Sequence, residues 1–214
     1  MRDRAGIYAI LARLRKLWSE LLSGQKGLNN APQKSELTLP LWAAVGLTVL
    51  LALPFGLWLG KFNFALWCSF IVWAEYFSLG AKPSALRLIV PAYSAGVILT
   101  SLSLWAIPVF SFLPSLITEG DLSLSAAIVI GIAGMVFLMD KFPVLNEGSL
   151  PYFNGISMAL AVYFTGSYPE ISSVIPNPLL AGGWALAMGA FGCFLGLLNV
   201  WLLSPRFRLL ARSA

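Results

Sequence analysis

Between Pro40 and Leu203 the chain runs through six long apolar stretches separated by short breaks rich in Gly, Pro or charge. A hydrocarbon layer about 30 Å thick is crossed by about 20 helical residues rising about 1.5 Å each. The stretches fall at roughly 40–60, 63–79, 85–107, 123–140, 150–167 and 178–203. Only 11% of the 214 residues are charged and 58% are hydrophobic, against about 25% charged in a soluble domain. So little charge cannot cover a globule. The expected fold is an all-α membrane protein with six transmembrane helices. The second and fifth stretches are the short ones, and three forms are open to them: half-helices, re-entrant segments, or short helices in the centre of a bundle.

Composition also narrows the chemistry. The chain has no histidine, which removes the commonest general base and metal ligand and the usual axial ligand of a membrane haem. The two cysteines, Cys68 and Cys193, lie singly inside apolar runs, too few for a zinc or iron–sulfur site. They read as small buried hydrophobes. No phosphate-binding glycine motif, serine nucleophile elbow or paired-carboxylate arrangement occurs. The expectation is no enzyme, no cofactor and no metal.

The net charge of +5 does not point to nucleic acid, because the basic residues flank the apolar stretches. Seven of the 14 precede Pro40, namely Arg2, Arg4, Arg13, Arg15, Lys16, Lys26 and Lys34; Arg206, Arg208 and Arg212 lie near the other terminus. With six spans and both termini in the cytoplasm, the inner side also receives Lys82, Arg87 and Lys141. The outer loops then hold Lys61 alone, with Glu119, Asp121 and Glu170. That asymmetry is the positive-inside pattern.

Residues 1–22 form a separate element. Ile7, Ile10, Leu11, Leu14, Leu17, Trp18 and Leu21 recur at helical spacing, and Arg4, Arg13, Arg15 and Lys16 occupy much of the remainder. Arginines interrupt the uninterrupted apolar core a cleavable signal needs. The segment reads as a cytoplasmic amphipathic helix lying in the lipid interface, with docking to a cytoplasmic or membrane partner as the other reading. Residues 23–39, with Gly24, Gly27, Asn29, Asn30 and Pro32, read as a flexible linker, and 205–214 as a basic cytoplasmic tail.

The membrane region carries an internal likeness. Ala74-Glu75-Tyr76-Phe77-Ser78 has a counterpart 87 positions on in Ala161-Val162-Tyr163-Phe164-Thr165, and the same shift places Pro91 on Pro178 and Gly96 on Gly183. Two repeats follow, 40–118 and 119–204. Each holds three spans, so the second enters from the opposite side and the repeat is inverted. Channels and secondary transporters use that architecture, with a solute site near the midplane where paired short segments meet. Inverted duplication without a pore is the alternative.

Glu75 is the one acidic residue well inside a span, and ionisable groups at membrane depth are costly and face a bundle interior or aqueous cavity. It could serve a cation, a substrate amine or a proton, or pair with Lys82 or Arg87 at the surface. Asn154, about a turn into the fifth span, is placed at Glu75's depth; Asn63 and Asn199 are further intramembrane amides. For each amide, a bond to a neighbouring helix competes with a bond to solute. Trp67, Trp73, Tyr76 and Phe77 on span two, with Tyr152, Phe153, Tyr163 and Phe164 on span five, are either rings of a size-selecting constriction or belt and packing residues. Small residues at Ala181, Ala185, Gly189, Cys193, Gly192 and Gly196, and at Ala127, Gly131 and Gly134, read as helix contacts within or between subunits. The proline-bearing loops Pro108–Pro114 and Pro169–Pro178 are expected at an outer vestibule.

The tract Trp73-Ala74-Glu75-Tyr76-Phe77, followed by Gly80, Lys82 and Leu86, and the tract Leu150-Pro151-Tyr152-Phe153-Asn154-Gly155 through Tyr163-Phe164 together resemble small bacterial inner-membrane proteins of the YcdZ type. The likeness covers roughly 40–204. It implies a bacterial inner-membrane location and transfers no site, since that family has no accepted catalytic residues. The sequence-level expectation is a homo-oligomeric channel or facilitator for a small polar solute. Its path would run between spans two and five, lined by Glu75, Asn154, Trp67, Trp73, Tyr76, Phe77, Phe153, Tyr163 and Phe164. The alternative is a non-transporting membrane subunit that anchors a larger complex.

Overall fold

The computed structural model describes residues 39–170 and 175–203. The amphipathic helix over 1–22, the linker except its last residue, and the basic tail lie outside the described residues. All regular structure among the described residues is helical. It comprises α1 (Leu41–Gly60), α2 (Leu66–Ser78), α3 (Leu86–Trp105), α4 (Asp121–Lys141), α5 (Pro143–Glu147), α6 (Ser149–Phe164) and α7 (Asn177–Leu203), with 3-10 turns at Pro83–Ala85 and Ile107–Phe110. Four helices are long and apolar enough to cross a membrane: α1, α3 with its leading turn, α4 and α7. The chain is thus suited to be a multi-pass membrane protein. The two short stretches are continuous helices of 13 and 16 residues.

Both short helices end by the same device. After α2, Gly80 adopts a left-handed φ of 91°, the Gly80 N–H donates to the Phe77 carbonyl and the Ala81 N–H to the Tyr76 carbonyl. After α6, Gly166 has φ 65°, its N–H donates to Tyr163 and the Ser167 N–H to Val162. These are Schellman closures, which satisfy carbonyls a helix end would otherwise leave bare. One turn earlier, the Ser78 hydroxyl donates to the Ala74 carbonyl at 3.1 Å and Thr165 to Ala161 at 2.6 Å. The tract that repeats in the sequence is therefore a shared helix ending. Elsewhere the register of 87 does not carry over, for Gly96 is buried while Gly183 is exposed.

Glycine contacts fix the packing. A Cβ on Gly96 of α3 would lie 3.0 Å from the Ile156 nitrogen and closer still to the Tyr152 carbonyl oxygen. Reciprocally, a Cβ on Gly155 of α6 would lie 3.2 Å from the Val97 nitrogen and closer to the Tyr93 carbonyl oxygen. Lipid supplies no hydrophobic drive between helices, so close backbone approach at small residues is what binds them. A second crossing joins α2 to α7, with Gly192 against Ser69 and Val72 and Gly196 against the Tyr76 ring. Tyr93 links the two crossings: its ring lies on Gly189 and its hydroxyl donates to the Ala185 carbonyl at 3.1 Å.

Direction follows from these contacts. Along α3, Ala92 meets Gly148 and Tyr93–Val97 meets Gly155, so α3 and α6 run the same way. Ser69 and Tyr76 meet Gly192 and Gly196 in the same order, so α2 and α7 do too. Ser101 packs on Gly182 and Tyr93 on Gly189, which sets α3 against α7. Thr48 meets Asn199 and Phe55 meets Phe191, opposing α1 to α7. Ser103 on Gly131 and Thr100 beside Met135 oppose α3 to α4. The six longer helices therefore alternate in direction along the chain. The buried hydroxyls of Thr48, Thr100 and Ser101 donate to carbonyls of their own helices, whereas those of Ser69 and Tyr76 have no partner.

Candidate functional site

Antiparallel α2 and α6 approach each other at one end of the bundle. There the Asn154 Nδ2 donates to Glu75 Oε1 in a short hydrogen bond. Two of the expected site residues, from distant parts of the sequence, are thus in direct contact at one depth. Glu75 is only 2% exposed and its Oε2 has no hydrogen-bond partner. The surface ion pair considered from sequence is not formed; Lys82 and Arg87 are both exposed, and the carboxylate faces an amide. Farther along α2 the one buried polar side chain is Ser69, whose hydroxyl has no partner, and the rest is apolar. Val72, Cys68 and, from α6, Val162 are fully buried in one apolar cluster with Tyr76, Tyr93 and Val97.

The nine expected site residues divide into three groups. Glu75 and Asn154 make the polar contact. Trp73 and Tyr76 are buried on α2, with the partly buried Phe77 ring beside them, and Tyr163 is partly buried near the far end of α6; the Trp73 Nε1 and Tyr76 hydroxyl lack partners. Trp67, Phe153 and Phe164 are exposed on the outside of the bundle and do not line a path between α2 and α6. Their places follow from the helical period. On α2, Trp67, Ala74 and Ser78 share the outward stripe, and on α6 Leu150, Phe153, Ser157 and Phe164 do so.

The other amides behave as helix and loop ties. Asn199 Nδ2 donates to the Thr48 hydroxyl at 2.9 Å, joining α7 to α1. Asn63 lies in the loop before α2 with φ 59° and donates to the Tyr168 carbonyl at 3.0 Å, joining two loops. Beside that tie a polar pocket of about 450 Å3 is lined by Lys61, Phe62, Asn63, Pro169 and Glu170. A groove of about 360 Å3 runs along α3 and α7, where Ile89, Tyr93, Ser94, Gly189 and Cys193 line it. Its walls are mainly apolar.

Sequence reasoning named Gly96, Tyr152 and Gly155 without placing them at the centre of the packing, and did not single out Tyr93. Tyr93 and Gly96 on α3, and Tyr152 and Gly155 on α6, form the same Tyr-x-x-Gly step. Each glycine receives the other helix at its tyrosine carbonyl. Tyr152, read from sequence as one ring among several, is fully buried and donates to the Met135 carbonyl at 3.0 Å. The repeated Tyr-x-x-Gly step was the available signal. No known protein family, curated protein or solved structure matches the chain.

Proposed function

We propose that this chain is a membrane transport protein for a small polar solute, held here in a closed conformation, with Glu75 and Asn154 as its polar site. The observation that carries the reading is the buried Glu75 carboxylate with one oxygen unpartnered. An acidic side chain at membrane depth costs about 2.5–3.5 kcal/mol, and a polar bond between membrane helices returns only about 1 kcal/mol. A purely structural interface would be better served by two apolar side chains. A free acceptor oxygen at that depth suits a ligand that donates hydrogen bonds, such as an amine, an amide or a protonated acid.

The reading includes six membrane-embedded helices in two inverted halves, α1–α3 and α4–α7. The alternating directions, the matching ends of α2 and α6, and the paired crossings of α3 with α6 and α2 with α7 support it. It also includes homo-oligomeric assembly, both termini in the cytoplasm and a bacterial inner-membrane location, in line with the resemblance to YcdZ-type proteins. Flux of small amines, amides and acids into liposomes holding the purified protein tests it. Flux that Glu75→Gln and Asn154→Ala each abolish is the expected result; no flux for any of these solutes overturns it.

One observation favours the alternative, a non-transporting subunit of a larger complex. The interface beyond Glu75 is closed by Val72, Cys68 and Val162, all fully buried. Stoichiometric partners retained through purification, together with silent liposomes, would favour that reading.

A further inference from the structure

The segment joining α3 to α4 has a character the transport reading does not use. From Ala106 to Thr118 it carries no charged side chain, yet its large apolar groups face outward: Val109 is 69% exposed, Phe112 77%, Leu116 73% and Ile117 92%. Such exposure on a connecting loop is unusual, since loops ordinarily present polar groups to water. Much of its backbone is tied down. The N–H groups of Val109, Ser111 and Leu113 donate to Ala106, Pro108 and Phe110 carbonyls, and Asp121 N–H donates to Thr118. Pro108 and Pro114 have no N–H to satisfy.

Asp121, the first residue of α4, completes the arrangement. Its carboxylate accepts the N–H of Leu116 at 3.0 Å, of Ile117 at 2.7 Å, of Thr118 at 3.3 Å and of Leu122 at 2.8 Å. The Gly120 N–H donates to the Ser115 hydroxyl, and the Ser123 hydroxyl donates to the Phe110 carbonyl. Water would have satisfied these groups without any such network. A segment that ties many of its N–H groups internally and turns its large apolar side chains out suits the boundary between acyl chains and headgroups, where the N–H groups of Phe112 and Ser115, which have no partner in the protein, still meet water.

We propose that residues 107–118 form an interfacial foot, in which Val109, Phe112, Leu116 and Ile117 lie in the acyl region of the adjoining leaflet while Asp121 holds the backbone folded behind them. The occupant of this surface is lipid, because it continues the apolar exterior of the two helices that bracket it, α3 and α4, both long and apolar enough to cross a membrane. Trp105, exposed at the end of α3, marks the same level, where indole rings favour the interface. The foot would set the depth of α3 and α4 in the bilayer.

Nitroxide labels at Phe112→Cys, Ile117→Cys and Glu119→Cys in the full chain, reconstituted into phosphatidylcholine–phosphatidylglycerol vesicles, test the proposal. Protein without an added cysteine, labelled in parallel, supplies the background from Cys68 and Cys193. The ratio of collision with oxygen to collision with a water-soluble nickel complex is expected to be several-fold higher at 112 and 117 than at 119. Equal ratios at all three would place the loop in water and overturn the proposal. Labels at 112 and 117 shielded from both reagents would place a protein partner or a second copy there and overturn it equally. Asp121→Ala should speed amide hydrogen exchange at 116–118 and lower the ratio at 117; unchanged exchange would refute the role given to Asp121. None of these readouts depends on solute flux.

Discussion

Replacing Gly96 by alanine adds one methyl group at the point where α3 and α6 touch. That methyl would sit 3.0 Å from the Ile156 nitrogen and nearer to the Tyr152 oxygen. Both are backbone atoms of a helix, so no side chain can turn aside and the helices must part. Overpacking of this kind costs about 1–3 kcal/mol, and the rigid wall argues for the upper end. Alanine's better helix propensity returns about 1 kcal/mol, which leaves a net loss of about 2 kcal/mol. Gly134→Ala is the control, because a Cβ there meets nothing within 4 Å; it should gain up to about 1 kcal/mol. Reciprocity gives a sharper test. Once the helices have parted for Gly96→Ala, much of the room Gly155→Ala needs already exists. The double variant should therefore lose less than the sum of the singles, by about 1 kcal/mol. Equilibrium unfolding in mixed micelles with rising dodecyl sulfate reads all four. Equal midpoints for Gly96→Ala and Gly134→Ala, or strictly additive losses in the double variant, would refute the reasoning.

Other expectations follow from single contacts. Tyr93→Phe and Tyr152→Phe each remove one hydroxyl bond to a carbonyl that the helix also uses, so each should cost about 1 kcal/mol in the same unfolding assay. A double-mutant cycle of Thr48→Val with Asn199→Ala should give a coupling near 0.6 kcal/mol, the usual worth of a polar bond between membrane helices. Cysteines placed at Lys61 and Glu170 should react with an impermeant maleimide from one side of sealed vesicles, and cysteines at Lys141 and Glu147 from the other; all four reacting from one side would break the alternation of helix directions. Glu75→Gln retains an oxygen to accept from Asn154, so the folded state should survive it while flux is lost; unfolding and flux measured on one preparation separate the two effects.

The helices were legible as long apolar runs, and the limits read for the six stretches fall within a few residues of the helices found, four of which are long and apolar enough to cross a membrane. The contact of Glu75 with Asn154 was legible as a matter of depth, since both sit about a turn from the same end. Apolar stretches were less informative about which face turns inward. Most positions of α2 and α6 are hydrophobic and their polar residues fall on inner and outer faces alike, Ser69 and Glu75 buried and Ser78 and Ser157 exposed, so the pattern that sorts inside from outside in a soluble helix is blurred, and Trp67, Phe153 and Phe164 could not be told from Trp73 and Tyr76. The crossing of α2 with α7 was legible, since Gly192 and Gly196 already read as helix contacts; that of α3 with α6 was less plain. Gly96 and Gly183 share a repeat position and differ in the residue three before them, Tyr93 against Leu180, and only the structure shows that the tyrosine step marks the approach of a second backbone. The five-residue helix Pro143–Glu147 is too short to leave a period.

At about 1.5 Å per residue, α2 is about 20 Å long, roughly 10 Å less than the hydrocarbon it would have to match. Its outward stripe, headed by Trp67, is not screened by the longer helices. With α2 in the bilayer as proposed, acyl chains beside that stripe would have to shorten or tilt, or another protomer take their place, each at a cost that grows with the mismatch. The protein would therefore pinch the bilayer along one flank and leave it at full thickness on the other. With α2 embedded and the protein oligomeric, as proposed above, acyl-chain length in the host membrane becomes a setting that its assembly can feel.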